Sequence, residues 1–208
     1  MQRKDHTEPM TQAAKMKIRM AMEAMARDGL RVLALAYRQR VTGHSEEELT
    51  SHLVFAGMAG MIDPPKKKVA QSVKTLKKAG VQVVMITGDY KDTAFAVARK
   101  IGIADSIEQC MTGRELEEIS DAAFARRMKN IRVFARVTPA HKVRIVQRFK
   151  DNGKIVAMTG DGVNDAPSLQ AADIGIAMGR NGTDVAKNAA DMILTDDDFS
   201  TIEKAMAE

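Results

Sequence analysis

The sequence predicts an α/β fold: a doubly wound parallel sheet preceded by a small, incomplete N-terminal piece of a second domain. Two observations carry this expectation. From residue 54 onward, short apolar runs alternate with amphipathic stretches, the order that builds a parallel sheet with helices on both faces. Before residue 53 that rhythm is absent, and a single apolar strand stands without an evident partner. We place the boundary there, with 1–52 as the end of one domain and 53–208 as the sheet domain.

In the first segment the pattern predicts a helix over Thr11–Arg27 carrying methionines at 16, 20, 22 and 25. Methionine suits adaptable binding surfaces, but at this spacing it reads as ordinary core. A strand over Leu30–Tyr37 and an acidic-starting helix over Ser45–Leu53 follow. Lacking a hairpin partner, Leu30–Ala36 is expected to be poorly ordered or to pair with a neighbouring molecule.

In the second segment Val54–Ile62 reads as a strand, and Pro65–Ala79 as a helix closed by Gly80. Val81–Ile86 is a strand and Thr93–Ile101 a helix ending at Gly102. Glu115–Met128 is one helical run. Strand Ile131–Ala135, helix Pro139–Lys150, strand Lys154–Met158 and helix Ala166–Ala171 come next. Strands Ile174–Ala177 and Met192–Leu194 flank a helix near Val185–Ala189, and a last helix starts at Ser200. Ligands of such sheets bind beyond the carboxyl ends of the strands, so the loops there are where chemistry is expected.

Composition narrows the function classes. The net charge of +5 invites a nucleic-acid reading, but the basic residues are interspersed with acidic ones and only two tyrosines and no tryptophan accompany them, so no nucleic-acid partner is expected. The run Lys66-Lys67-Lys68 reads as the solvated start of a helix. A single cysteine, Cys110, excludes an internal disulfide and fits a reducing compartment, as a small side chain in a strand. The longest apolar run, Leu53–Ile62, is half of the roughly 20 residues a membrane span needs. No apolar signal region follows the first residues, so the chain as given is expected to be soluble.

Three elements carry chemistry. The strand ending at Met158 runs into Thr159-Gly160-Asp161-Gly162-Val163-Asn164-Asp165-Ala166-Pro167. Its glycines permit tight turns and let backbone amides approach an anion. Asp161 and Asp165, four apart, fall on one side if the loop turns into a helix, and two hard oxygen ligands beside a phosphate suit Mg²⁺. Asn164 can donate to a phosphate oxygen. Thr138-Pro139 is a good N-cap and first turn, so Lys142 adds a point charge to the positive end of that helix. Thr87-Gly88-Asp89 follows the buried strand Val81–Ile86 and offers a hydroxyl and an amide. Together they form a phosphate cradle, and phosphoryl transfer depends chiefly on such positioning and charge stabilisation.

These motifs resemble a known family. Met85-Ile86-Thr87-Gly88-Asp89, Phe134-Ala135-Arg136-Val137 with Pro139 and Lys142, and Met158–Pro167 stand in the order seen in P-type cation-transporting ATPases, a branch of the haloacid dehalogenase-like superfamily. Ile62-Asp63-Pro64-Pro65 also matches, with Lys66 where an arginine usually follows. Gly29–Ala34 resembles the last strand of the family's nucleotide-binding domain. The resemblance implies that 1–52 is the end of that domain and 53–208 the phosphorylation domain without its nucleophile segment. It implies Mg²⁺ on Asp161 with Asp165 in support, and Lys142 stabilising the phosphorylated intermediate. Thr87, Gly88, Asp89, Arg136 and Asn164 would line the phosphates of ATP, Arg31 would reach them from the nucleotide-domain side, and Asp63 would mark the hinge. The run Gly179–Lys187 with Asp191-Met192-Ile193-Leu194 is similar to calcium and sodium/potassium pumps. Ca²⁺ is the cation expected, bound elsewhere, in membrane helices. The implied partners are those helices, the actuator domain and the rest of the nucleotide domain, at the cytoplasmic face of a membrane.

The family's phosphorylated aspartate lies in Asp-Lys-Thr-Gly-Thr, and this sequence has no such segment. The chain is therefore expected to be a cytosolic fragment that forms no aspartyl-phosphate alone. Two other readings stand beside it. One is a stand-alone phosphatase with Asp63 as nucleophile, although the general acid/base position two residues on is Pro65. The other is a non-catalytic Mg²⁺- and phosphate-binding module acting on a pump in trans.

Overall fold

The computed structural model describes residues 2–3, 6–38, 51–62, 64–66 and 68–205. Backbone contacts divide the chain into two compact units, Met1–Pro64 and Pro65–Glu208.

In the first unit β1 (Gln2–Arg3) and β2 (His6–Thr7) pair antiparallel. Helix α1 (Gln12–Arg27) starts where the Ala14 N–H donates to the Thr11 hydroxyl at 3.1 Å. Gly29, at φ +83°, turns the chain into β3 (Arg31–Tyr37). This strand has a partner after all: β4 (Val54–Met61) pairs with it antiparallel, with an irregularity between Leu35 and Ala36. Two expectations are corrected by that pairing. Leu30–Ala36 is neither isolated nor dependent on a neighbouring molecule, because Val54–Met61 satisfies its backbone. The division between the units falls after Pro64 rather than after residue 52, because the apolar run that reads as the first strand of the parallel sheet belongs with β3. The methionines also differ from the core reading: α1 has no buried residue, and Met16, Met20 and Met22 are exposed. Met25 alone packs closely, its Cε 2.5 Å from where a Cβ on Gly60 would stand. The expected helix Ser45–Leu53 falls mostly on 45–50, outside the described residues, and Ser51–Leu53 is not helical.

In the second unit α2 (Val69–Lys78) ends at Gly80, φ +83°, and leads to β5 (Met85–Ile86). Helix α3 (Lys91–Lys100) ends at Gly102, φ +75°. A short strand absent from the expected element order, β6 (Cys110–Thr112), holds Cys110 in a strand as its reading had it and precedes α4 (Gly113–Glu118) and α5 (Asp121–Arg127). Those two helices replace the single one expected over Glu115–Met128. The break comes at Ile119, because the Ser120 hydroxyl accepts the Ala123 N–H and caps a new helix. Then follow β7 (Val133–Ala135), α6 (Pro139–Asp151), β8 (Ala157–Gly160), α7 (Ala166–Ala171), β9 (Ile174–Met178), α8 (Asp184–Asn188), β10 (Met192–Leu194) and α9 (Phe199–Ala205).

All strand pairs here are parallel, in two three-stranded sheets ordered β5-β7-β6 and β8-β9-β10. The first is covered on both faces. Cys110, Val133 and Ala135 pack with Val73, Ala94 and Ala98 of α2 and α3. Their strand neighbours Met111 and Phe134 turn the other way, onto Leu116, Phe124, Ile145 and Phe149 of α4, α5 and α6. That opposite packing of consecutive residues is the period-two signature of a strand buried on both sides. Each fully buried Met, Leu or Phe contributes about 1.5–3 kcal/mol. Burial pushes the Cys110 thiol up to about 11. The second sheet packs Met158 and Ala177 against Val146, Leu169 and Ala186, with Ile86 and Val156 bridging the two cores. Among the described residues, no helix is long and apolar enough to cross a membrane.

Candidate functional site: a cleft between two Thr-Gly-Asp loops

The carboxyl ends of β5 and β8 open onto one cleft of about 360 Å³. Ile86, Met158 and Met178 line it with apolar surface, and its polar walls include Thr87, Gly88, Lys142, Thr159, Asp161 and Asp165.

The β5 loop bonds the side chain of its own aspartate. The Thr87 hydroxyl donates to Asp89 Oδ2 at 2.9 Å and accepts the Asp89 N–H at 3.1 Å. The Thr87 N–H donates to the Phe134 carbonyl at 2.9 Å, extending the β5–β7 ladder. Backbone N–H groups of Arg136 and Val137 donate to the carbonyls of Asp89 (3.0 Å) and Thr87 (3.3 Å). Arg136 makes that turn at φ +54°, and its guanidinium lies 4.0 Å above the centre of the Tyr90 ring, a cation–π contact.

The β8 loop is organised around Asp165, which is only 8% exposed. Its Oδ2 accepts the N–H groups of Gly162 (3.1 Å) and Asp161 (3.3 Å), while the Lys142 ammonium donates to Oδ1. Gly160 is required by this fold-back, since a Cβ there would stand 2.4 Å from Asp165 Cβ. The loop enters a tight turn over Val163–Asp165 before α7, so Asp165 meets the main chain of Asp161 through that turn rather than along one helix face. Asp161 and Asn164 stay exposed, and the Asp161 carbonyl accepts the Thr183 N–H at 2.8 Å.

Lys142 is held by its helix end. The Thr138 hydroxyl accepts the His141 N–H, and His141 Nδ1 accepts the Thr138 N–H at 3.1 Å. With Nδ1 an acceptor, Nε2 carries the proton and donates to Glu117 at 2.8 Å. Gly113 makes room for this ring, its would-be Cβ lying 2.8 Å from His141 Nδ1.

Of the residues singled out in the sequence, Thr87, Gly88, Lys142, Asp161 and Asp165 line the cleft, whereas Asp89, Arg136 and Asn164 are not lining residues. Arg31 lies on β3 in the first unit, opposite Met61. Asp63 lies outside the described residues. A larger groove of about 720 Å³ lies at the opposite end of the first sheet, beside Lys77, Arg99 and Arg132. The ammonium of Lys77 is taken there by the carbonyls of Gly102 and Ile103, which makes it a helix cap rather than a ligand group.

The donors fit Mg²⁺. Asp165 has both oxygens engaged, so the exposed Asp161 carboxylate is the hard oxygen donor the cleft offers a cation. Among the described residues no three His, Cys, Asp or Glu side chains cluster as a cage. A one- or two-carboxylate site open to water and phosphate is the form Mg²⁺ takes beside phosphoryl groups.

A family model for haloacid dehalogenase-like hydrolases matches residues 4–173. The chain is 53% identical over 202 residues to calcium-transporting ATPase 1 of Bacillus cereus, covering 97% of this chain and 23% of that protein. It is 47% identical over 200 residues to calcium-transporting ATPase type 2C member 2 of Rattus norvegicus, covering 96% and 20%. It thus spans less than a quarter of these relatives' length. Among solved structures, the catalytic domain of the CPx-ATPase CopB-B, described for its conformational changes upon nucleotide binding, matches 76% of this chain and 51% of that one, at 26% identity and a TM-score of 0.53.

Proposed function

Because this chain belongs to the haloacid dehalogenase-like hydrolases, we propose that it is the magnesium- and phosphate-holding part of a P-type cation-transporting ATPase. The reading rests on one observation above all: the cleft gathers Lys142, Asp161, Asp165, Thr87 and Gly88 at the carboxyl ends of β5 and β8. Ca²⁺ as the transported ion draws support from relatives named calcium-transporting ATPases. In this reading the first unit, ending at Pro64, is the end of the nucleotide-binding domain, the second, from Pro65, belongs to the phosphorylation domain, and ATP is the phosphoryl donor. The cytoplasmic face of a membrane is the proposed location, with the membrane helices, actuator domain and remaining nucleotide domain as partners.

Asp161 holds Mg²⁺, with Asp165 supporting it. When bound, the ion supplies positive charge that neutralises phosphoryl oxygens. Lys142, kept in the cleft by Asp165, presents its ammonium to the transferred phosphoryl group. The Gly88 amide, and the Thr87 hydroxyl once it turns from Asp89, donate to phosphate oxygens, while Asp89, Arg136 and Asn164 act at the nucleotide phosphates. Arg31, on β3, is proposed to bind the nucleotide. The accepting aspartate comes from a segment outside this sequence, on a strand seated between the outer edges of β5 and β8, each of which ends its sheet. Nothing observed favours the Asp63 phosphatase.

Radiolabelled ATP and Mg²⁺ test the proposal. The full-length pump is expected to take up acid-stable, hydroxylamine-labile label, which Asp161→Asn lowers at least tenfold, while the 208-residue chain stays unlabelled. Labelling of the isolated chain, or its turnover of p-nitrophenyl phosphate abolished by Asp63→Asn, would overturn it.

A further inference from the structure

The acidic run Asp196-Asp197-Asp198 contains a buried aspartate whose contacts lead toward Asp161. Asp197 is 7% exposed and adopts φ +53°, a left-handed backbone that aspartate, like asparagine, takes up more readily than most residues other than glycine. Both of its carboxylate oxygens are spent on one loop: Oδ1 accepts the Arg180 N–H at 3.0 Å and Oδ2 the Asn181 N–H at 2.8 Å. The loop is otherwise tightly turned. A Cβ on Gly182 would stand 2.0 Å from the Met178 carbonyl, and one on Gly179 would stand 2.7 Å from the Leu194 carbonyl. Immediately after it, the Thr183 N–H donates to the Asp161 carbonyl at 2.8 Å. The chain of contacts therefore runs from Asp197 through two amides and two residues of backbone to the main chain of Asp161. Its far end is tied as well, because the Lys66 ammonium donates to the Asp197 carbonyl at 2.7 Å.

We propose that Asp197 is a positioning residue for magnesium binding, holding the loop Gly179–Thr183 so that Thr183 fixes the backbone of Asp161. This rests on the reading of Asp161 as the metal ligand. The bonds from Arg180 first, then those from Asn181 and Gly179, outweigh the burial that opposes ionisation and hold the Asp197 carboxyl below its usual range. The grip is thus present throughout the neutral range. A residue that only tied the loop after β10 to the loop after β9 would support stability without touching metal affinity, and the two roles separate on that measurement.

The test uses the 208-residue chain, with Mn²⁺ as the probe and Mg²⁺ as competitor, the free ion being read by electron paramagnetic resonance. Binding is expected in the parent chain and lost in Asp161→Asn. Asp197→Ala is expected to weaken it about tenfold, the low end of what partners supporting a metal carboxylate contribute. Its amide exchange should rise at Arg180, Asn181 and Thr183, while Met111 and Phe134 stay protected. If Asp197→Ala does not fold, Asp197→Asn, which keeps one acceptor oxygen, is expected to weaken binding by less than about tenfold. Raised exchange at Arg180 and Asn181 with unchanged affinity overturns the positioning role alone. Parent binding that ignores Asp161→Asn overturns the magnesium reading, and the positioning role with it.

Discussion

Two loops of this chain share the tripeptide Thr-Gly-Asp, stand at the ends of parallel strands and face the same cleft, yet they are built in opposite ways. Thr87-Gly88-Asp89 closes on itself, its threonine hydroxyl bonding its own aspartate. Both backbones are held by neighbours, Thr87 and Asp89 by Phe134, Arg136 and Val137, and Asp161 by Asp165 and Thr183, but Asp161 keeps its carboxylate exposed at the cleft. The glycines divide likewise. A Cβ on Gly88 would meet nothing within 4 Å, whereas one on Gly160 would collide with Asp165. A tripeptide of small and polar residues therefore does not define a duty. What its aspartate is left to do depends on whether neighbours take over the structural bonds it would otherwise make.

The largest expected contrast is in the charges. Lys142→Ala leaves the Asp165 carboxylate buried with only amides for company and should cost about 3 kcal/mol in urea unfolding. Asp89→Ala, on the exposed loop, should cost about 0.5 kcal/mol. Equal costs would mean that the two loops are not built differently. Next come the glycines: Gly160→Ala should destabilise by about 2 kcal/mol through overpacking, and Gly88→Ala by less than about 0.5 kcal/mol. Similar midpoints for the two would break the comparison.

The smallest effect is the response to acid. Asp197 and Asp173, which support the β8 side through backbone amides, have carboxyl values held below the ordinary range, by Arg180 and Val156 N–H groups first. A depressed folded value means that their stabilisation is in place above the unfolded value of about 3.9 and is lost as pH falls through the lower folded values. Protection of the Val156, Arg180 and Asn181 amides should therefore fall below about pH 4. The Thr87 amide, bonded to the Phe134 carbonyl, has no titrating partner and should hold longer.

How much of this was legible in the sequence follows from the range of each interaction. The helices over Gln12–Arg27 and Pro139–Asp151 were plain because caps and periodicity are local. Residues 54–61 read as a strand correctly but were given to the wrong sheet, since an apolar run does not name its partner and β3 lies across a connection of more than a dozen residues. Cys110 reads as a strand residue, but Cys110–Thr112 has no place in the expected element order because three residues are too few to show a period. In the site, Lys142 and Asp165 were each singled out, but their pairing spans 23 positions and has no sequence signature. Asp197 was passed over. The three consecutive aspartates before Phe199 were the available signal, since such a run is unusual unless some of the carboxylates have partners.

The division of the parallel strands into two sheets also bears on how the polypeptide behaves in a tube. Strands β5 and β8 each end a sheet and present backbone groups that no strand among the described residues takes up. An open edge is a template for another chain. Two unlike edges make each molecule bivalent, and joining β8 of one copy to β5 of the next is a head-to-tail contact that need not close. Concentrated samples are thus expected to scatter light increasingly over time, through growth of linear assemblies rather than dimers. A short extended peptide that fits between the two edges should stop that growth.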